Sequence, residues 1–242
     1  MHFHVLGPIE VRSNGALLRI KPGKPTKLLA TLLLHRNTWV SMDRLIDVLW
    51  HDRTVPASAS GNVKSYVCGM RHALPEARID SHAGAYRIRT GLAEVDADHV
   101  AESTVDARIA LAHDEPGRAV KLLTETLALW RGTPFQDLAG EVRAPETARL
   151  DEVRWELREL LAESYRALGR SADAIGLLSA MTCDDPLREN VWARLVTVLH
   201  ETGRRGAALA TYRRARSAIV RDLGIEPGAE LAGAHRMVLE RA

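Results

Sequence analysis

The chain is short of cysteine, of aromatic rings and of long apolar runs, and each shortage closes off a class of protein. Two cysteines in 242 residues, Cys68 and Cys183, cannot build a disulfide scaffold and fit a reducing compartment. Aromatic residues make up 5% of the chain, so its cores must rest on the Leu, Val, Ile and Ala that dominate an apolar content of 46%. The longest apolar stretch, Leu28 to Leu34, is interrupted by Thr31 and falls far short of the roughly 20 residues that span a bilayer. Met1-His2-Phe3-His4 has no charged segment followed by an apolar run, so no secretory signal is read. The expectation is a cytoplasmic protein with no membrane partner.

Motifs that carry chemistry are equally scarce. Gly23-Lys24 lacks the upstream glycine of a phosphate loop, position 18 being Leu. No nucleophile elbow and no helical zinc-type His pair occurs, and His2-x-His4 lies in a strand without nearby ligand partners. A lone Cys68 without a resolving partner reads as inert. No enzyme activity, metal or cofactor is therefore expected.

What is there is a basic first third and a helical remainder. Residues 1–95 hold 13 Lys/Arg against 7 Asp/Glu, a balance of +6, and residues 96–242 hold 20 against 24, a balance of −4. This asymmetry points to a polyanion-facing N-terminal part and a protein-facing C-terminal part.

Residues 3–11 read as a strand interrupted by Gly7-Pro8, Ser13-Asn14-Gly15 as a hairpin turn and residues 16–20 as the returning strand. A helix is predicted over 25–35, with Leu28, Leu29, Leu32 and Leu33 on one face, then a short strand at Trp39-Val40. Ser41 caps the next helix through its hydroxyl, and Asp43 complements the positive helix end. A third helix runs from Ser58 or Ser60 to about Leu74, with Val63, Val67, Met70 and Leu74 as its buried stripe. Ile79-Asp80-Ser81 and Tyr86-Arg87-Ile88 form a closing hairpin. The order β-β-α-β-α-α-β-β, three helices closed by a hairpin, describes a winged helix-turn-helix over residues 1–94.

From residue 95 to 242 the pattern is helical, with segments at 98–113, 117–130, 145–168, 171–181, 187–202, 206–223 and 229–240, and an irregular insertion at 131–145. Ser171 and Asp185 are the expected caps of their helices, with Pro186 at a first position, and Gly224 ends the helix before it. Leu161-Ala162, Tyr165, Gly169-Arg170 and Ala174-Ile175 recur 34 residues later as Leu195-Val196, Leu199, Gly203-Arg204 and Ala208-Leu209. That is the tetratricopeptide period. Each hairpin must stack on a neighbour to bury its apolar face. The fold class is therefore mainly α with a small β component, a winged helix followed by a tetratricopeptide-like bundle. Trp39, Trp50, Trp130, Trp155 and Trp192 are read as core or near-core anchors.

Several longer motifs resemble a known family. Asp185-Pro186-Leu187-Arg188-Glu189, Ala208-Leu209-Ala210-Thr211-Tyr212-Arg213-Arg214-Ala215-Arg216 and Leu223-Gly224-Ile225-Glu226-Pro227-Gly228-Ala229-Glu230-Leu231 resemble the bacterial transcriptional activation domain. Leu6-Gly7-Pro8, Val40-Ser41-Met42-Asp43-Arg44-Leu45-Ile46, Leu49-Trp50 and Tyr66-Val67 with Arg71-His72-Ala73-Leu74 resemble the OmpR-type winged helix of the same proteins. Together they are similar to the Streptomyces antibiotic regulatory proteins in their small form, across essentially the whole chain. The resemblance implies a bacterial, nucleoid-associated activator of a secondary-metabolite gene cluster. It implies double-stranded promoter DNA with direct repeats as ligand, a homodimer on DNA, and RNA polymerase with its sigma factor as partners. The division implied is 1–94 for DNA binding and 95–242 for activation.

A winged helix lays its third helix in the major groove, where base edges are distinguishable. The face left by the apolar stripe offers Ser60, Lys64, Ser65, Cys68, Arg71 and His72, with Tyr66 at its margin. His82, Tyr86 and Arg87 lie on the wing, and Lys24 is a further candidate for phosphate. The chain departs from the family pattern at Cys68, Gly69 and His82, where polar or basic residues are usual. The thinner face leaves an alternative open: a protein-interaction module whose winged helix has lost sequence-specific DNA binding.

Overall fold

A computed structural model of the chain describes residues 1–51, 53–74, 78–91 and 93–240. Contacts group the chain into two compact units, Met1–Ser103 with Glu125–Arg154, and Thr104–Thr124 with Trp155–Ala242.

The first unit opens on a three-stranded antiparallel sheet of β1 (His2–His4), β2 (Glu10–Ser13) and β3 (Ala16–Leu18), in that order. The expected interrupted strand is in fact two strands. Phe3 pairs with Val11, so Leu6-Gly7-Pro8-Ile9 is a reversal and not a kink. Gly7 makes the reversal possible at φ 150°, a conformation that L side chains rarely adopt. Backbone amides freed there find distant partners. Val5 N and Leu6 N donate to the buried Asp96 carboxylate at 2.8 and 3.3 Å, and Ile9 N donates to Asp137 at 2.8 Å. The irregular insertion docks on the same reversal, with Arg131 N donating to Leu6 O at 2.7 Å and Phe135 N to Val5 O at 2.8 Å.

Three helices follow: α1 (Lys24–Leu34), α2 (Met42–Leu49) and α3 (Ala59–Ala73). They contact one another pairwise. Leu28, Leu29, Leu32 and Leu33 of α1 and Val63, Val67 and Met70 of α3 are buried, as the sequence period predicts. Full burial of each such side chain is worth about 1.5–3 kcal/mol. Ser41 caps α2 as expected, its hydroxyl accepting from Arg44 N at 3.2 Å. A second sheet, β4 (Val40–Ser41), β6 (Ala85–Ile88) and β5 (Ile79–His82) in that order, closes the unit.

The remaining helices are α4 (Asp96–Ala112), α5 (Pro116–Leu127), α6 (Gly140–Ala167), α7 (Ser171–Asp184), α8 (Glu189–Glu201), α9 (Arg205–Leu223) and α10 (Ala229–Glu240). In the second unit, α7 to α10 close over a core of Leu178, Met181, Trp192, Leu195, Val196 and Ile219. The 34-residue repeat has a backbone cause. Gly169 and Gly203 sit at φ 71° and 75°, and Arg170 N and Arg204 N reach back to Tyr165 O and Leu199 O at 2.8 and 2.9 Å. Both ends are Schellman caps, which need a left-handed residue at this position. A third copy ends α4: Asp114 stands at φ 58°, and Glu115 N donates to Ala110 O at 2.8 Å.

Three details differ from the sequence expectations. Helix α6 begins five residues before Pro145, which lies within its early turns. Ser171 is the first residue of α7 and caps nothing through its side chain, the N-cap being Arg170. Asp185 does not cap α8. It holds a turn instead, accepting from Leu187 N and from Arg188 Nε at 3.1 Å each, while Pro186 O accepts the Trp192 indole N–H at 2.9 Å.

Candidate nucleic-acid interface

The stripe Val63, Val67, Met70 turns the opposite face of α3 outward. Lys64, Ser65, Cys68, Arg71 and His72 are exposed on it, with Ser60 and Tyr66 half-buried at its edges. Lys64 has no ion pair among the described residues. Arg71 is less free: its Nε donates to Ile79 O at 2.9 Å and ties the end of α3 to β5. His72 folds back along the helix, with Nδ1 2.8 Å from Cys68 O, a geometry that fits a protonated Nδ1 as donor. The Cys68 sulfur lies 3.9 Å from the same ring nitrogen.

Beside this face lies a cavity of about 280 Å³, lined by Ser65, Tyr66 and Gly69 of α3 and by Arg19, Lys21 and Pro25. Gly69, without a side chain, leaves that wall open. Arg19 and Lys21, both exposed, thus join the α3 face. Sequence reasoning missed them because residues between a strand and a helix have no periodic face to be placed on.

The wing is the hairpin β5–β6. Its two-residue turn, Ala83-Gly84, has positive φ at both positions, 46° and 76°, as a tight hairpin of right-handed strands requires. Register alternates the faces: Tyr86 pairs with Val40 and points inward, while Arg87 pairs with Asp80 and points outward. His82 is exposed at the tip. Arg87 Nη2 donates to Asp80 Oδ2 at 2.7 Å, and its guanidinium lies 4.5 Å from the Trp39 ring.

Three expectations are corrected here. Tyr86 is only 7% exposed and is a core residue, because its strand position faces the helices. Lys24 turns inward: its Nζ donates to Leu49 O at 3.0 Å at the end of α2 and sits 3.7 Å from the Trp50 ring centre. Burial first, then the charges of Arg53 and Lys27, lowers its pKa from the ordinary lysine value. A cation belongs at a helix C-terminus, so this lysine is structural. Trp39, expected in or near the core, is 42% exposed, whereas Trp50 and Trp192 are buried as expected.

Among the described residues no group of three or more His, Cys, Asp or Glu is placed to hold a metal ion. No helix among them is long and apolar enough to cross a membrane.

Three helices closed by a hairpin, with a basic exposed face on the third, define a winged helix-turn-helix protein carrying helical repeats. The chain belongs to the bacterial transcriptional activator domain family, with the Streptomyces antibiotic regulatory proteins: residues 95–239 match the model described as Bacterial transcriptional activator domain. Regulatory protein DnrI of Streptomyces peucetius is 30% identical over 251 residues, covering 99% of this chain and 92% of that protein. Regulatory protein AfsR of Streptomyces griseus is 29% identical over 99% of this chain, which spans 24% of AfsR. The solved structure of Mycobacterium tuberculosis EmbR in complex with a low affinity phosphopeptide superposes with a TM-score of 0.89 at 29% identity. It matches 98% of this chain and 64% of that one. The family is one of transcriptional activator domains, and these relatives are regulatory proteins.

Proposed function

We propose that this chain is a sequence-specific DNA-binding activator of transcription, serving a secondary-metabolite gene cluster. In this reading residues 1–94 bind direct repeats in promoter DNA as side-by-side protomers of a homodimer, and residues 95–242 engage RNA polymerase and its sigma factor. The observation that carries the reading is the exposed α3 face, with Lys64 unpaired among the described residues, Ser65 beside it and Arg19 and Lys21 on its rim. A helix of this kind fits the major groove, and cations beside it neutralise phosphates. The N-terminal balance of +6 supports the same partner, and a nucleoid location follows from it.

A second reading, a protein-interaction module, is favoured by one feature of the second unit. An open groove of about 360 Å³ runs between α6, α8 and α10, with Ala162, Ala193, Val198 and Ala234 on its floor and Arg166 and Arg194 on its walls.

The experiment is equilibrium binding of the protein to promoter fragments from its own gene neighbourhood and to scrambled duplexes, over about 50–200 mM salt. The activator reading expects preference for one fragment and a steep fall of affinity with salt. Weak binding without preference overturns it in favour of the interaction module.

A further inference from the structure

The outer face of the second sheet holds an arrangement that DNA binding by α3 does not use. Across the sheet, Trp39, Arg87 and Asp80 form one row, because residue 39 stands opposite Arg87 and Arg87 pairs with Asp80. One oxygen, Asp80 Oδ2, lies 2.7 Å from Arg87 Nη2 and 3.4 Å from Arg89 Nε. Arg71, at the end of α3, is a third cation close enough to act on this carboxylate. The Arg87 hydrogen bond, outweighing partial burial, together with the charges of Arg89, Arg87 and Arg71, holds the Asp80 carboxyl below the usual aspartate value. Asp80 is therefore ionised at neutral pH.

A single oxygen bridging two guanidinium groups is the contact pattern of a phosphate oxygen. The pairing is also incomplete. Arg87 gives Asp80 one of its donors, and its Nε–H is covered without a partner among the described residues. Nor does Asp80 alone orient these arginines. Arg87 rests on the Trp39 ring and Arg71 is held by Ile79 O. Removing the Asp80 charge therefore leaves Arg87 and Arg71 held in place.

We propose that the outer face Trp39–Arg87–Arg89 is a phosphodiester-binding surface continuous with Arg71, and that Asp80 is its built-in competitor, occupying in the free protein the place a backbone phosphate takes in the complex. This rests on the reading of the chain as a DNA-binding protein and adds to it the residue that sets affinity. The competitor weakens every duplex alike. Binding then depends on the contacts of α3, so the competitor increases reliance on base reading without touching a base.

The test is Asp80→Asn, which keeps the shape and one acceptor and removes the charge. It is measured by equilibrium binding of the full chain to a promoter fragment and to a scrambled duplex, with Asp151→Asn as a charge control elsewhere. Asp80→Asn is expected to tighten binding to both duplexes about three- to tenfold near 0.1 M salt, the effect of one partly screened charge beside a phosphate. It is also expected to steepen the salt dependence by up to about one counterion. Asp151→Asn is expected to change affinity less than about twofold, and the gain should vanish in an Arg87→Gln/Arg89→Gln background of unchanged thermal midpoint. Unchanged or weaker binding by Asp80→Asn, or a gain that survives in that background, overturns the proposal. Promoter preference with no Asp80 effect leaves the activator reading standing and sinks this one. An Asp80 gain on duplexes bound without preference does the reverse, and no duplex binding by either form ends both.

Discussion

Replacing Gly7 by Ala should destabilise the first unit at its N-terminal sheet, although Gly7 touches no proposed DNA contact. A Cβ there would lie 3.0 Å from Arg131 Cβ, 3.1 Å from Arg131 C and 3.1 Å from Gly132 N. Two of those three atoms are backbone, so no side chain can swing aside. The φ of 150° adds strain of about 1–3 kcal/mol for any L residue. Overpacking against a fixed backbone adds about 1–3 kcal/mol. If the insertion retreats instead, the bonds Arg131 N to Leu6 O and Phe135 N to Val5 O lengthen, at about 1 kcal/mol each. Either route costs about 3 kcal/mol, which lowers the thermal midpoint by about 6–12 °C in a chain of this size. Calorimetry gives the midpoint, and amide hydrogen exchange at Arg131 and Phe135 shows whether the docked insertion is what loosens. A midpoint within about 1 °C of the parent, with both amides still protected, would refute the account of Leu6-Gly7-Pro8 as a docking reversal.

Other glycine and near-glycine positions carry the opposite sign. A Cβ at Gly69 meets nothing within 4 Å, so Gly69→Ala should stabilise the protein by about 0.5–1 kcal/mol through helix propensity, read as a higher thermal midpoint. Asp114→Gly should also stabilise, by roughly 0.5–1 kcal/mol, because it relieves a left-handed residue in the third Schellman cap; a lower midpoint would contradict that assignment. Glu94 accepts from Arg78 Nη1 and Gly91 N at 2.6 Å each. Burial pushes its carboxyl up, but those hydrogen bonds and the Arg78 charge outweigh it and leave the pKa below the ordinary glutamate value. Its stabilisation is thus full above about pH 5 and is lost as pH falls through the lowered value. The midpoint difference between the parent and Glu94→Gln should shrink below about pH 4, and a difference constant with pH would contradict the linkage.

Local periodicity read much of this molecule well. The stripe of α3 lies where a 3.6-residue period puts it, and Gly224 ends α9 in the left-handed conformation at φ 71°. The 34-residue spacing led to two hairpins because both used glycine at the cap. The cap at Asp114 is legible as the break between the helices read at 98–113 and 117–130, but it stands 55 residues before Gly169 and so lies outside the 34-residue spacing. What the sequence hid depends on partners far along the chain. The bonds from Val5 to Asp96 and from Ile9 to Asp137 join residues 91 and 128 apart, so a reversal at Gly7 looked like a kink. The same holds for the interface. Periodicity placed Lys64 and Ser65 on the outer face of α3, where they are exposed. It could not say that Lys24 had a carbonyl waiting at the end of α2 or that Arg71 would bond to β5. Nor could it say which way Tyr86 and Trp39 faced, since sheet register decides that.

The most direct test of the central claim compares the parent, Lys64→Ala and Lys121→Ala in binding to the best promoter fragment across salt concentration. Lys64 lies on the α3 face, and Lys121 is an exposed lysine of α5. If the α3 face meets DNA, Lys64→Ala weakens binding roughly tenfold and lowers the salt slope by about one, while Lys121→Ala leaves both near the parent values. Equal affinities for all three, or a larger loss at Lys121, would contradict the claim that this face reads DNA.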